Sequence, residues 1–140
     1  MNGKFFLDTN IFVYSFDRSS VAKLRRSSQL IGRAVTTRAG VISYQVVQEF
    51  FNVAFRKFAT PMTPEEAEQY LGAVFRPLLT VNSSQALYGE ALRLTRRYRL
   101  SWYDSLIVAA ALEAECSVLY SEDLQHGQRI GNLRVENPFL

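Results

Sequence analysis

The chain reads as an α/β protein: a three-layer sandwich with a central, mainly parallel sheet of four to five strands flanked by helices. Three observations predict this. Short apolar runs at Lys4 to Leu7, Gly40 to Ile42, Leu78 to Val81 and Ser117 to Tyr120 have the length of strands covered on both faces. Longer segments with helical spacing of apolar residues lie between them. Strands and helices alternate from end to end with no internal repeat and no linker, so residues 1–140 are expected to form a single domain.

Each element has its own signal. After the first strand, Ile11 to Phe16 is expected to be a short helix capped by Asn10. Ser19 or Ser20 opens a helix to about Thr36, with Val21, Leu24, Leu30 and Ile31 on one side and Lys23, Arg25, Arg26 and Arg33 on the other. Ser43 caps a helix to about Ala59 whose apolar face is wide. Thr63, Pro64 and Glu66 make a capping box with proline at the first position, opening a helix to about Phe75, with Pro77 beyond its end. Asn82 or Ser83 caps a helix through Leu87, Ala91, Leu94 and Tyr98, whose C-terminal arginines suit the helix dipole. Ser101 opens the next helix, which is apolar all round from Leu106 to Leu112 and therefore buried. Leu133 to Glu136 is a further strand, expected on an edge.

Composition narrows the function classes. Hydrophobic residues make up 48% and aromatics 13% of the chain, enough for a core and unlike a disordered segment. No apolar run reaches the ~20 residues needed to span a bilayer. The N-terminal residues lack the pattern of a signal peptide. A cytoplasmic protein with no membrane association is the simplest expectation. Cys116 is the one cysteine, so an intrachain disulfide and a thiolate metal site are excluded; its neighbours suggest a small buried side chain. The net charge is +3, and arginines far outnumber lysines. Arginine's planar fork matches phosphate, although a solvated basic face needs no ligand.

Four acids stand where a lone acid is hard to place. Asp8 ends the first apolar run, at the carboxyl edge of its strand, where ligands bind in open α/β sheets. Glu49 shares a helical stripe with Val46 and Val53. A carboxylate among valines loses several kcal/mol of hydration unless something compensates. Arg56, the nearest downstream base, is about 10 Å further along the axis. Asp104 follows Ser101 at capping-box spacing, and Asp123 follows the fourth strand, with Glu122 as a rival beside it. Singly, these are a turn residue, half of a distant salt bridge, a cap and a second turn residue. Together they predict one pocket. Converging carboxylates repel, and a hard divalent cation such as Mg²⁺ or Mn²⁺ relieves them with oxygen ligands. Zinc is disfavoured, because only His126 and Cys116 supply softer donors, and His126 sits in a polar loop.

The chemistry that follows is phosphodiester hydrolysis through metal-activated water. Thr9, Asn10 and Ser121 are placed to orient waters around the ion. Arg18, Arg25, Arg26, Arg38, Arg96, Arg97 and Arg99 are candidates to hold a polyanion outside the acids. No Walker or dinucleotide glycine pattern is present.

Asp8-Thr9-Asn10, Glu49, the run from Ser101 to Ala111 containing Asp104, and Ser121-Glu122-Asp123-Leu124-Gln125-His126-Gly127 together resemble the PIN domain, and within it the VapC-type toxins of bacterial toxin–antitoxin pairs. The resemblance runs from the first strand to the last. It implies an Mg²⁺- or Mn²⁺-dependent endoribonuclease cutting cellular RNA (tRNA, rRNA or mRNA), a homodimer, and inhibition by a cognate antitoxin threaded across the acidic groove. It gives Asp8, Glu49, Asp104 and Asp123 the catalytic and metal-holding roles. The fourth position varies in that family, so Glu122 stays open as an alternative to Asp123. Two other classes remain: a non-catalytic PIN-like module that binds RNA or a partner, and a metal-dependent phosphatase or DNA nuclease. The absence of a DxD nucleophile pattern at Asp8-Thr9-Asn10 weakens the phosphatase.

Overall fold

The computed structural model describes residues 3–140. In chain order it holds β1 (Lys4–Leu7), α1 (Thr9–Tyr14), α2 (Val21–Thr37), β2 (Gly40–Ser43), α3 (Tyr44–Arg56) and α4 (Pro64–Tyr70). A π-helical stretch (Leu71–Phe75) joins α4 to α5 (Arg76–Leu78). Then follow β3 (Leu79–Val81), α6 (Gln85–Tyr98), α7 (Trp102–Glu113), β4 (Cys116–Tyr120), β5 (Arg129–Ile130) and β6 (Leu133–Glu136).

The sheet has the order β3-β2-β1-β4-β6-β5. All neighbours are parallel except β5 and β6. The expected mainly parallel α/β sheet is therefore present, with six strands rather than four or five. The extra strand, β5, is two residues long and too short to leave a pattern in the sequence. It takes the outer place, so β6 lies inside, between β4 and β5, not on the edge.

Strand order runs outward from β1 to β2 and β3, then returns to place β4 on the other flank of β1. Right-handed crossovers in opposite directions put their helices on opposite faces. α7 is buried all round from Ser105 to Ala111 and packs on β2 and β4, as its uniform apolarity predicted. On another flank, Phe12 of α1, Phe50 of α3 and Phe75 of the π stretch meet edge to face. All three are completely buried, and edge-to-face pairs add to their hydrophobic contribution. α2 lies close on the sheet: Gly40 has no room for a side chain, because a Cβ there would run into Ala34.

Several helix limits differ from expectation for local reasons. Asp8, not Asn10, caps α1, accepting from Thr9 N at 2.7 Å. α3 ends at Arg56, before Ala59. The Thr63–Glu66 capping box forms in full. The helix it opens does not stop at Phe75 but continues to Leu78 with Pro77 inside. The π stretch shifts the bonding pattern, with Arg76 N reaching Leu71 O, just ahead of the residue that has no N–H to give. α6 is capped by Ser84, whose hydroxyl accepts from Leu87 N at 3.0 Å, rather than by Asn82 or Ser83.

Candidate active site

The reversal of strand order falls between β1 and β4, the topological switch point where open α/β sheets leave a crevice beyond their carboxyl ends. Leu7 is in register with Tyr120, and Tyr120 with Glu136. Asp8 and Ser121 therefore leave the sheet side by side. Asp8 N donates to Tyr120 O at 3.1 Å, and Ser121 N donates to Glu136 O at 3.0 Å. A cleft of about 290 Å³ opens there, and Asp8, Glu49, Asp104 and Asp123 all line it. They come from the end of β1, the middle of α3, the first turn of α7 and the loop after β4.

Asp8 is buried, with 6% of its surface exposed. Ser121 Oγ donates to its Oδ2 at 2.8 Å, and Thr9 N to its Oδ1. Burial pushes its pKa up to about 7, and Asp123 and Glu49 add to the rise, while the Ser121 and Thr9 hydrogen bonds pull the other way. Glu49 is held from two directions: Thr9 Oγ1 donates to Oε1 at 2.7 Å and Gln45 Nε2 to Oε2 at 3.2 Å. This is the compensation a carboxylate on a valine stripe needs, supplied by hydroxyl and amide rather than by a distant arginine. Asn10 Nδ2 donates to Asp123 Oδ2 at 3.4 Å, and Asp123 N donates to Ser121 Oγ at 3.2 Å. Burial raises the Asp123 pKa, and Asp104, Glu122 and Glu49 raise it further. Asp104 N donates to the cap Ser101 at 3.2 Å, while its carboxylate lines the cleft.

Thr9, Asn10 and Ser121 thus each hydrogen-bond to one of the acids. Glu122 does not line the cleft. It pairs with Lys23 at 3.2 Å and accepts from the Tyr14 hydroxyl on the outside of α1. His126 is exposed, and its Nδ1 accepts from Asn137 N at 3.0 Å. None of the seven candidate phosphate-holding arginines lines the cleft, and Arg26 instead donates to Pro138 O at 3.2 Å.

The sequence reading missed Gln45. It is buried, and besides Glu49 it donates to Tyr103 O at 3.2 Å, tying α3 to the first turn of α7. Its Oε1 has no donor. Its position one helical turn before Glu49 was the available signal. Asn52 and Tyr103, which also line the cleft, were missed as well.

The donor set fits a hard cation: carboxylates, a hydroxyl and amides, with no thiolate or imidazole on the cleft. Among the described residues no lysine or arginine pairs with any of the four acids, so their mutual repulsion has no protein counter-charge. Nor do three acidic, histidine or cysteine side chains among the described residues close tightly enough to hold an ion unaided. An ion here would keep several of its waters, as Mg²⁺ commonly does.

A parallel α/β fold with acids from separate segments gathered at its switch point defines the class. The chain belongs to the PIN domain family, whose model matches residues 5–129. Solved structures share the fold. A chain of a toxin–antitoxin complex from Klebsiella pneumoniae is similar at 20% identity with a TM-score of 0.66, covering 95% of this chain and 96% of that one. VapC20 of Mycobacterium tuberculosis, described as a sarcin–ricin loop cleaving toxin, is similar at 15% identity and TM-score 0.63, over 84% and 88% of the two chains. DNA-bound VapBC from Salmonella typhimurium is similar at 21% identity and TM-score 0.63, over 96% and 98%. No curated protein matches the sequence closely enough to count as a relative.

Proposed function

We infer that the chain is a divalent-metal-dependent endoribonuclease, and that it is the toxin of a toxin–antitoxin pair. The observation that carries this is the meeting of Asp8, Glu49, Asp104 and Asp123 on one cleft of a PIN domain, with no lysine or arginine among the described residues paired to them. When bound, Mg²⁺ or Mn²⁺ would supply charge neutralisation at the phosphate and an activated water. The chain's own residues hold the acids in place. Ser121 and Thr9 N fix both oxygens of Asp8, Thr9 and Gln45 fix Glu49, and Asn10 restrains Asp123. Arginines outside the cleft would hold the strand that the bare acids repel. The toxin role is supported by the fold shared with toxin–antitoxin complexes and with a toxin described as cleaving the sarcin–ricin loop. By the same likeness, a cognate antitoxin and a second copy of the chain are its proposed partners.

Expression of the chain alone should arrest growth, and Asp8→Asn should relieve the arrest while the protein stays folded. Purified protein should cleave RNA in Mg²⁺ or Mn²⁺ and stop in chelator. Cleavage that chelator leaves untouched would refute the metal-dependent reading.

A further inference from the structure

We propose that Lys23, Arg26, Arg33, Arg129 and Arg134 form a basic strip on the flank of the sheet, and that it holds the phosphodiester backbone of the RNA where this runs away from the cut. This rests on the ribonuclease reading above. The strip is assembled from α2 and the β4-β6-β5 side of the sheet. Val118 is in register with Arg134 and Tyr120 with Glu136, so these side chains share one face. Arg129 lies directly opposite Arg134 across the antiparallel β5–β6 pair and joins that face. From α2, Arg33 donates to the Tyr120 hydroxyl at 3.0 Å, Arg26 to Pro138 O at 3.2 Å, and Lys23 to Glu122 at 3.2 Å. Glu122 precedes Asp123 in the chain, so the strip begins where the cleft ends. From Lys23 to Arg33 it extends about 15 Å along the helix.

These five cations stand against two carboxylates, Glu122 and Glu136, whereas the chain as a whole has 16 cations to 13 acids. Like charges placed directly opposite on two strands repel. Glu136, 3.1 Å from Arg134, answers one of the opposed pair, and exposed Arg129 pairs with no acid among the described residues. The Arg33 guanidinium lies over the Phe5 ring at 4.6 Å and donates to Tyr120, which holds it flat. A planar fork fixed in this way loses little freedom on meeting a phosphate. Protein partners dock through exposed aromatic or apolar anchors, and the strip offers none: Phe5 and Tyr120 are buried, and Tyr14 and Phe139 are half-buried beneath Lys23. Phosphates need only charge and N–H donors. The cleft repels RNA and no lysine or arginine lines it, so the holding charge lies outside, and this strip borders it.

The test is the salt dependence of RNA binding by the Asp8→Asn full chain with Mg²⁺. Each phosphate contact contributes about 0.7 to the slope of log affinity against log salt for a single strand, so Arg129→Gln with Arg134→Gln should lower that slope by about 1.4. Arg129→Lys with Arg134→Lys keeps the charge and should keep most of the slope. Arg76→Gln with Arg93→Gln removes the same charge from α5 and α6 and should leave the slope in place. With Asp8 intact, the Arg129→Gln, Arg134→Gln chain should show a KM raised several-fold at low salt and a native kcat. An unchanged slope in that chain, or an equal fall in the Arg76→Gln, Arg93→Gln chain, overturns the strip. A polyglutamate peptide that binds the native chain but not the Arg129→Gln, Arg134→Gln chain, with the RNA slope unmoved, would make the face a dock for an acidic protein and also overturn it. RNA cleavage with a native KM in the Arg129→Gln, Arg134→Gln chain removes the strip and leaves the nuclease. No RNA cleavage by the native chain in either metal removes the nuclease, and the slope still decides whether these arginines hold RNA.

Discussion

Thr9 Oγ1 donates a hydrogen bond to Glu49 Oε1 at 2.7 Å, joining the turn after β1 to the middle of α3 across 40 residues of sequence. Thr9 is buried, so neither partner exchanges this bond easily for water. The bond fixes one oxygen of Glu49 and turns the carboxylate toward the cleft. Thr9→Val keeps the shape and removes the donor. Groups that orient metal ligands typically change affinity or activity by about 10- to 100-fold when lost. Thr9→Val should weaken Mn²⁺ binding within that range, measured by calorimetry without RNA. Unchanged Mn²⁺ affinity would show that Glu49 needs no such orientation.

Asp8 makes the metal-free protein sensitive to pH. Its pKa is raised from 3.8 to about 7, chiefly by burial. Below the lower value it is protonated in both folded and unfolded chains. Between the two values the folded chain holds a proton that the unfolded chain has lost, so stability falls as pH rises through this window. Asn at this position removes the effect. Asp8→Asn should therefore gain stability over the native chain from about pH 4 to pH 7, by roughly 2–4 kcal/mol at the upper end. Thermal melts of both proteins in chelator across this range give the comparison. A difference that stays flat with pH would show that Asp8 is not held in a raised state. Adding Mn²⁺ should reverse the order above neutral pH, because the native carboxylate then gains a counter-charge.

The strands next to the cleft were legible because they are short and mostly apolar, with Phe5–Leu7 and Leu119–Tyr120 buried, and Asp8 ends the first of them abruptly. The acids were legible one at a time from their misfit with their surroundings, and Thr9, Asn10 and Ser121 from standing beside them. Other features left weaker marks. Asp8 and Asn10 are both good helix caps two residues apart, and only the fold shows that Asp8 caps α1 while its side chain also faces the cleft. Pro77 looked like a helix terminator because proline lacks an N–H. The π stretch before it removes that requirement, and no local residue pattern announces it. Gln45 reads as an ordinary polar position on a helix, and its burial depends on α7, more than 50 residues away in the chain.

Gln45 carries a further test. Its amide donates to Glu49 Oε2 and to Tyr103 O, both at 3.2 Å, so it spans the two helices that form one wall of the cleft. Gln45→Leu keeps much of the volume but leaves a carboxylate oxygen and a backbone carbonyl without their donor. Loss of a buried partner costs about 1–3 kcal/mol. The variant should lose that much unfolding free energy, melt at a lower temperature, and bind Mn²⁺ more weakly, since Glu49 loses one of its two restraints. A lower melting temperature with unchanged Mn²⁺ affinity would make Gln45 a brace of the wall alone.

Glu122 and Asp123 are adjacent, and the fold separates their surroundings. Asp123 lines the cleft and takes a hydrogen bond from Asn10, whereas Glu122 faces Lys23 and the Tyr14 hydroxyl. The Lys23–Glu122 pair is partly exposed, with side-chain exposures of 37% and 19%, and such pairs contribute about 0–1 kcal/mol. Glu122→Gln should then lower stability by no more than about 1 kcal/mol and leave the RNA cleavage rate within about threefold of native. Asp123→Asn removes a charge from the cleft itself, so it should slow cleavage by about 100-fold or more at equal Mg²⁺, with part of the loss recovered at higher Mg²⁺. Single-turnover cleavage of one RNA by both variants over a range of Mg²⁺ separates the two positions. If Glu122→Gln is the slower enzyme, the loop after β4 must rearrange when the ion and RNA bind, and the fourth acid of the site is Glu122.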